Sequence, residues 1–378
     1  MPIFIESTFR VSDPTINVLL SAIAAAINND GNGRAPTDDV DWTQLTRLAA
    51  ANKLPTVVQR GLAVMNIEAP TMFRDAALTF RNSTLQRNSG NLSTLARLAP
   101  ALDNAGIPFA VFKGPLQQQA LWGDHFLRPS GDIDILTHSA DFDRAASVLR
   151  ELGYVMPDEC DSPWWRHFLG EQHFFAPAGN LAVVDLHHRV QQPGCPAPRH
   201  LADYLDRAER VLLGGVKVPT LPRVDATLLS SISLVKAIFH REPAGSYIAD
   251  LAMAVGRMGE EERHELTALA RRQGMVATLR LALRCTSGLL GLPLTSGLPA
   301  PARRSALDGA LARLVLAPWQ DDISWPRRRE LLWELCDGGP FRRAATFAGE
   351  TAWALASEGA HRFWHSPRQE QPHPAPAA

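Results

Sequence analysis

Apolar residues recur at two different spacings along this chain, and the change from one to the other divides it. Trp42, Leu45, Leu48 and Ala49 are spaced for one helix face. The "DWTQ" at 41–44 has the Asp-x-x-Gln form of a helix start, in which an acceptor caps the free amides and the fourth residue reaches back. A longer helical stretch runs from about Met72 to Leu102, and its polar filling "RNSTLQRNSGNLSTL" predicts a break near Gly90. The spacing then shortens. "IPFAVF" at 107–112 is rich in β-branched and aromatic residues, as a buried strand is. "KGP" ends it, and Pro115 suits the first position of a new helix, "PLQQQALW".

A loop through "GDHFLRPSG" leads to a second strand, "DIDILT". Ser139 is placed to cap a helix whose stripe is Phe142, Ala146, Leu149 and Leu152, with Gly153 as its stop. "EQHFFAP" and "LAVVDLHHRV" (181–190) read as two further strands, and "GGVKVPTL" (214–221) as a hairpin-like segment. From Asp203 onward the chain otherwise reads as helical, and the Pro-rich polar tail as disordered. The expected organisation is α+β: a helical region over 1–104, a small α/β core over 105–220, a helical region over 221–365 and a tail over 366–378. No internal repeat is present in the sequence.

Composition narrows the function classes. Formal net charge is −1, so the overall balance draws the chain neither to nucleic acid nor to an anionic membrane. The basic run "PRRRE" at 326–330 reads as a solvated helix face. Four scattered cysteines make no CxxC pair or disulfide framework, which fits a reducing compartment. "MPIFIESTFR" lacks a signal-peptide pattern, and the apolar stretch at 18–27 is too short to span a bilayer. The expected location is the cytoplasm.

The chemistry concentrates in "FLRPSGDIDILT" at 126–137. In a strand, residues two apart face one side, so Asp132 and Asp134 share a face while Ile133 and Ile135 point to the core. In "VVDLHHRV", Asp185 and His187 share a face and His188 takes the other. If the two strands are neighbours, three carboxylates converge, and mutual repulsion then calls for a cation. Oxygen ligands favour Mg²⁺ or Mn²⁺, completed by water and substrate phosphate. The "FKGP" stretch offers an anion site: Lys113 at a strand end, Gly114 allowing close backbone approach, then a helix N-terminus. Arg128 is a candidate bidentate phosphate contact, with Ser130 and Gly131 beside it in the same loop.

Other readings compete. An isolated Asp-x-Asp is often a turn or surface pair. The haloacid-dehalogenase pattern ends a strand in Asp-x-Asp-x-Thr, but Leu136 stands where the threonine belongs. The glycosyltransferase pattern puts an apolar strand before the pair, whereas here the apolar residues follow it. His187 is either a phosphate or carboxylate contact or a hydrogen-bonded structural histidine. Lys236 and His240, four apart, share a helix face. They read either as cleft residues for the nucleotide or as a polar cluster elsewhere. Trp164 and Trp165 read as a stacking pair or as a loop pin.

Taken together, "VFKGPLQQQALWGDHFLRPSGDIDILTHSADFDRAASVLRELGY" and "VVDLHHRV" resemble the bacterial uncharacterised nucleotidyltransferase family of the DNA polymerase beta superfamily. The resemblance rests on a Lys-Gly pair, an Arg-Pro-x-x-Asp-x-Asp-x-Leu segment and an Asp-Leu-His segment in that order. It implies a minimal polymerase-beta-like core and transfer of a nucleoside monophosphate from an NTP, with pyrophosphate leaving. Asp132, Asp134 and Asp185 match the metal-binding carboxylates, and Asp185 the one that helps deprotonate the acceptor. Lys113 and Gly114 stand in place of the superfamily's usual Gly-Ser loop, and Gly114 lies 18 positions before Asp132, a longer gap than in compact members. The acceptor stays open: a small molecule, a peptide or a protein. Members of the family occur beside genes for ribosomally made peptides, lasso peptides among them, which makes peptide tailoring one candidate role. A non-catalytic nucleotide-binding or scaffold protein, and an antitoxin-like enzyme acting on a protein or RNA, are the alternatives.

Overall fold

The computed structural model describes residues 13–30, 39–176, 182–291, 296–299, 308–320 and 323–364. The opening ten residues and the tail expected to be disordered lie outside this range. Four helices precede the sheet: α1 (Pro14–Asn28), α2 (Trp42–Ala51), α3 (Pro55–Val64) and α4 (Thr71–Asn104). Asp13 caps α1 by accepting from Thr15 N at 2.9 Å. Asp41 caps α2 by accepting from Gln44 N at 2.9 Å, but the Gln44 side chain does not reach back as the Asp-x-x-Gln pattern suggests; it donates to Asp13 Oδ2 at 3.2 Å. α1 and α3 pack backbone to backbone at Gly61, where a Cβ would lie 1.7 Å from Ala22 O.

The sheet is built from β1 (Phe109–Val111), β2 (Ile133–Thr137), β3 (Glu171–Phe175), β4 (Val183–His187), β5 (Glu209–Leu213) and β6 (Val216–Thr220), in the order β3-β4-β2-β1-β6-β5. It is mixed: β2 runs parallel to β4 and β1 to β6, and the remaining pairs are antiparallel. The connecting helices are α5 (Gly114–Trp122), α6 (Phe142–Glu151) and α7 (Ala202–Asp206). Beyond the sheet come α8 (Arg223–His240), α9 (Gly245–Arg257), α10 (Glu260–Gln273), α11 (Val276–Leu290), α12 (Asp308–Leu316), α13 (Trp325–Leu335) and α14 (Pro340–Trp364). The α+β expectation holds.

Two cores meet at the sheet. One face buries Ile133, Ile135, Val184 and Leu186 with Phe142 and Leu149 of α6 and Leu95 and Leu98 of α4. Ala110, Phe112 and Leu136 join instead the larger core built by α1–α3 and α8–α11. Alternate residues of one strand thus enter different cores, as the period of two demands. Among the described residues, no helix is long and apolar enough to cross a membrane. All four cysteines are buried free thiols.

Three further expectations need correction. α4 does not break near Gly90; it is one helix of 34 residues. Its polar filling is used rather than solvated: Thr84, Asn88, Asn91 and Thr94 are all buried. Ser139 is not the cap of α6. The turn 138–141 closes on itself through Asp141 N to His138 O at 3.0 Å, and Asp141 is the N-cap. The chain is not helical from Asp203; α7 ends at Asp206 and the hairpin β5–β6 follows. Exposed positions along β5 hide its strand character in sequence. Gly214 and Gly215, with φ of 55° and 89°, make the two-residue turn that the twist of a hairpin favours.

Candidate active site

The register of β2 on β4 sets Asp134 opposite Asp185 on adjacent parallel strands. Both carboxylates are buried. His187, two residues beyond Asp185 on the same face, brings Nε2 to 3.1 Å from Asp134 Oδ1. β3 adds to that face, since His173 pairs with Asp185 and Glu171 with His187. His173 Nδ1 hydrogen-bonds Asp185 Oδ1. Glu171 Oε2 lies 3.4 Å from His187 Nδ1, but without hydrogen-bonding alignment, so that buried nitrogen has no hydrogen-bond partner. Trp165 stands edge-on to His173, ring centroids 4.8 Å apart. It lies in a π-helical segment, Trp164–Leu169, that Trp164 ties to α14 through a 3.1 Å bond to Ser357 Oγ.

Asp132 immediately precedes β2, and the loop that presents it is held from α4. Asn88 Nδ2 donates to His125 O at 2.7 Å and Arg128 O at 2.9 Å, and its Oδ1 accepts from Ser130 N at 2.9 Å. Asn91 Nδ2 donates to Ser130 O at 3.1 Å and Asp132 O at 3.4 Å. From α5, Gln118 Oε1 accepts from Arg128 N at 3.0 Å while its Nε2 donates to Arg128 O at 3.0 Å. The carbonyls of His125, Arg128, Ser130 and Asp132 and the amides of Arg128 and Ser130 thereby have partners.

The electrostatics follow from this crowding. Asp134 beside it, then burial and Asp185, push the Asp132 carboxyl up to about 7. Burial alone would raise Asp134, but Lys113 and His187 outweigh it and hold that carboxyl at about 2. Lys113 Nζ lies 3.5 Å from Asp134 Oδ1. Burial opposes its charge, yet Asp134 more than compensates and raises the ammonium above its usual range. Burial also opposes charge on His173, and the hydrogen bond to Asp185 reverses that and raises it.

The other expected residues divide. Gly114 has φ +73° and sits against the loop, where a Cβ would lie 3.7 Å from Ser130 Oγ. Ser130 is buried and Gly131 is exposed. Arg128 is buried, with its guanidinium in an ion pair with Asp250 of α9, whose other oxygen accepts from Trp122 Nε1 at 2.9 Å. Lys236 lies within electrostatic range of Cys195 and His240, and His240 is the exposed last residue of α8. The structure does not group these two with the carboxylates. His188, on the opposite side of its strand, bonds Arg166 O at 2.7 Å and meets the Phe142 ring edge to face. A cleft of about 770 Å³ opens at the C-terminal ends of β2 and β4, lined by Thr137, Arg189, Glu350 and Trp353 among others; none of the three aspartates lines it.

Glu171 and His173 are not singled out by sequence motif. Their signal is the same as that of Asp132 and Asp134, polar residues two apart in an apolar strand. It becomes legible once β3 is known to border β4.

The donor set can be tested against a divalent cation. One ligand atom from each of Asp134, Asp185 and His187 lies within 4.8 Å of the others. Asp134, burial and Asp185 push Asp132 up even with Lys113 nearby, and a divalent cation would relieve that crowding of carboxylates. The residues fit a metal.

A mixed sheet that gathers buried carboxylates beside a Lys-Gly turn gives the chain a site that could hold a metal ion. Residues 38–291 match the family described as "Uncharacterised nucleotidyltransferase", and the chain belongs to that family. Among solved structures, the antibiotic-resistance factor ANT(2'')-Ia is 14% identical, with 49% of this chain and 92% of that chain covered and a TM-score of 0.34. An antigenic nucleotidyltransferase-like protein from Paracoccidioides brasiliensis is 16% identical, with 55% and 95% covered and a TM-score of 0.31. Comparison with curated proteins gave no match.

Proposed function

We propose that this protein transfers a nucleoside monophosphate from an NTP to a hydroxyl or similar acceptor on a small molecule, peptide or protein. The observation that carries the reading is the in-register pair Asp134–Asp185 on neighbouring strands, with His187 and Asp132 beside it. We assign the transfer core to residues 105–220 and the flanks to the helical regions on either side.

In the proposed reaction, an acceptor oxygen attacks the α-phosphorus. A new O–P bond forms, the bond from the α-phosphorus to the bridging oxygen of the β-phosphate breaks, and pyrophosphate leaves with that electron pair. The acceptor's proton passes to Asp185, whose Oδ1 His173 orients. Asp132, Asp134 and Asp185, with His187, would hold Mg²⁺ or Mn²⁺, which supplies charge neutralisation at the phosphates when bound. Lys113 and the backbone at Gly114 would bind the polyphosphate. Arg128, paired with Asp250, supports the loop that carries Asp132.

The test is incubation with Mg²⁺ and each α-labelled NTP, alone and with lysate of the native host, beside Asp132→Ala and Asp185→Ala. Label transferred by the wild type and by neither variant supports the reading and yields the acceptor. Transfer undiminished in a folded Asp185→Ala protein would refute it. Mg²⁺-NTP binding with no transfer and no pyrophosphate would favour a binding or scaffold role.

A further inference from the structure

The chain has four lysines: Lys53, Lys113, Lys217 and Lys236. Two of them, Lys53 and Lys113, hold left-handed backbone conformations, with φ of 59° and 69°. Both of these lie within electrostatic range of Asp132 and Asp134. Lys113 belongs to the Lys-Gly turn described above. Lys53 does not; it comes from the turn between α2 and α3.

The backbone at Lys53 is one that a side chain disfavours. Lys53 N donates to Ala50 O at 3.0 Å and Leu54 N to Ala49 O at 2.8 Å, which closes α2 in the left-handed manner. Glycine is preferred there, because a Cβ crowds the following carbonyl at positive φ. The chain follows that preference at the ends of α4, α5, α6, α10 and α11 with Gly106, Gly123, Gly153, Gly274 and Gly291, and uses Asn29 and Asn66 after α1 and α3. Among the described helix ends, Lys53 and Arg241 depart from it with long cationic side chains.

The Lys53 turn is also fixed with care. Buried Asn52 donates from Nδ2 to Leu48 O at 2.9 Å and to Leu316 O at 2.7 Å, and accepts at Oδ1 from Gly245 N at 2.8 Å. A Cβ at Gly245 would come within 2.7 Å of Asn52 Oδ1, so the contact needs that glycine. Gly245 opens α9, the helix whose Asp250 pairs with Arg128. Lys53 is itself exposed, and among the described residues its ammonium makes no hydrogen bond or ion pair. A backbone fixed by buried hydrogen bonds to the start of α9 therefore carries a cation within electrostatic range of Asp132, Asp134 and the loop's Arg128.

We propose that Lys53 is an anion-binding residue of the transfer site, contributed by the N-terminal helices, and that its ammonium takes the polyphosphate of the incoming nucleotide. The inference rests on the nucleotidyl-transfer reading. Its physical ground is that a cluster of aspartates repels a polyphosphate, so cations on the rim are needed to admit one. A compact ammonium on a flexible stem suits a phosphate oxygen.

Lys53→Gly tests this, because it installs the residue that the backbone prefers. In the full chain, thermal unfolding without nucleotide should show a midpoint equal to or above that of the wild type. The Kd for Mg²⁺-NTP should rise roughly tenfold, as loss of one charge-assisted contact implies. Inorganic pyrophosphate should lose a similar factor, the unphosphorylated nucleoside none, and Lys53→Arg should keep most of the affinity. NTP affinity unchanged in Lys53→Gly, or lost equally for the nucleoside, would overturn the assignment while leaving the transferase reading in place. A wild type that binds no Mg²⁺-NTP would overturn both.

Discussion

Asn88→Ala removes the central clamp on the loop that carries Asp132. Three hydrogen bonds disappear. Arg128 O keeps a partner in Gln118, so two backbone groups, His125 O and Ser130 N, lose the partner that Asn88 gave them. Asn88 is fully buried. Each unsatisfied buried group costs about 1–3 kcal/mol, so destabilisation of about 3 kcal/mol is expected. The assay is urea unfolding followed by tryptophan fluorescence; Trp122 reports locally, since its indole bonds Asp250, the partner of Arg128. With a slope of about 3 kcal/mol/M, the midpoint should fall by on the order of 1 M. Arg87→Ala, at the exposed neighbouring position, is the control and should shift stability by less than about 0.5 kcal/mol. Mg²⁺ affinity should weaken in parallel, because Asp132 loses its fixed approach. If Asn88→Ala and Arg87→Ala unfold alike, the buried polar face of α4 does not hold the loop and the reasoning fails.

The remaining expectations are simpler to test. Chelation of the purified protein should lower its thermal midpoint relative to Mg²⁺ in excess, since a ligand at about 100 times its Kd adds about 2.7 kcal/mol; an unchanged midpoint across a Mg²⁺ titration would count against the metal site. Gly114→Ala forces a Cβ into φ +73°, though no atom lies closer to that Cβ than Ser130 Oγ at 3.7 Å. The cost is therefore conformational, about 1–2 kcal/mol, read as a fall in the unfolding midpoint. His188 is half-buried, and burial lowers its imidazole below the ordinary 6.5. The unfolded chain then takes up a proton that the folded chain refuses, so this contribution to stability is full above about 6.5 and declines as pH falls below it. His188→Gln keeps a donor for Arg166 O without titrating, so the drop in midpoint between about pH 7.5 and about pH 5.5 should be smaller in the variant; an equal drop would show that His188 is not the group responsible.

Much of the site is legible because strand parity is a local rule. Asp134, Asp185 and His187 follow from counting by twos, while Asp132 lies just before the strand, and Asp41 follows from a cap whose partner lies three residues on. What parity cannot supply is adjacency. That β4 lies beside β2 is a fact of topology, and so is the arrival of Glu171 and His173 from the far side of β4. Arg128 illustrates the same limit: its chemistry suits a phosphate, but its partner Asp250 stands 122 residues away and takes the guanidinium. α4 fails in the opposite way. Asparagines and threonines inside a helix lower its intrinsic propensity because they compete for the backbone. Here the competition is won by a distant loop, so tertiary context overrides the local preference.

The helical regions do more than cover the sheet, since they hold the loop that carries Asp132. The loop before Asp132 takes hydrogen bonds from α4 and α5 and an ion pair from α9, and a lysine from the α2–α3 turn lies within electrostatic range of Asp132 and Asp134. Carboxylates drawn this close repel one another, as the upward push on Asp132 shows. Strand pairing fixes Asp134 and Asp185 through their own backbones, but Asp132 precedes β2 and has no such hold. Its position against that repulsion depends on side chains from helices that precede the sheet and follow it. The family likeness likewise spans residues 38–291, the helices as well as the strands, and the hydrogen bonds that hold Asp132 against its neighbours come from those helices.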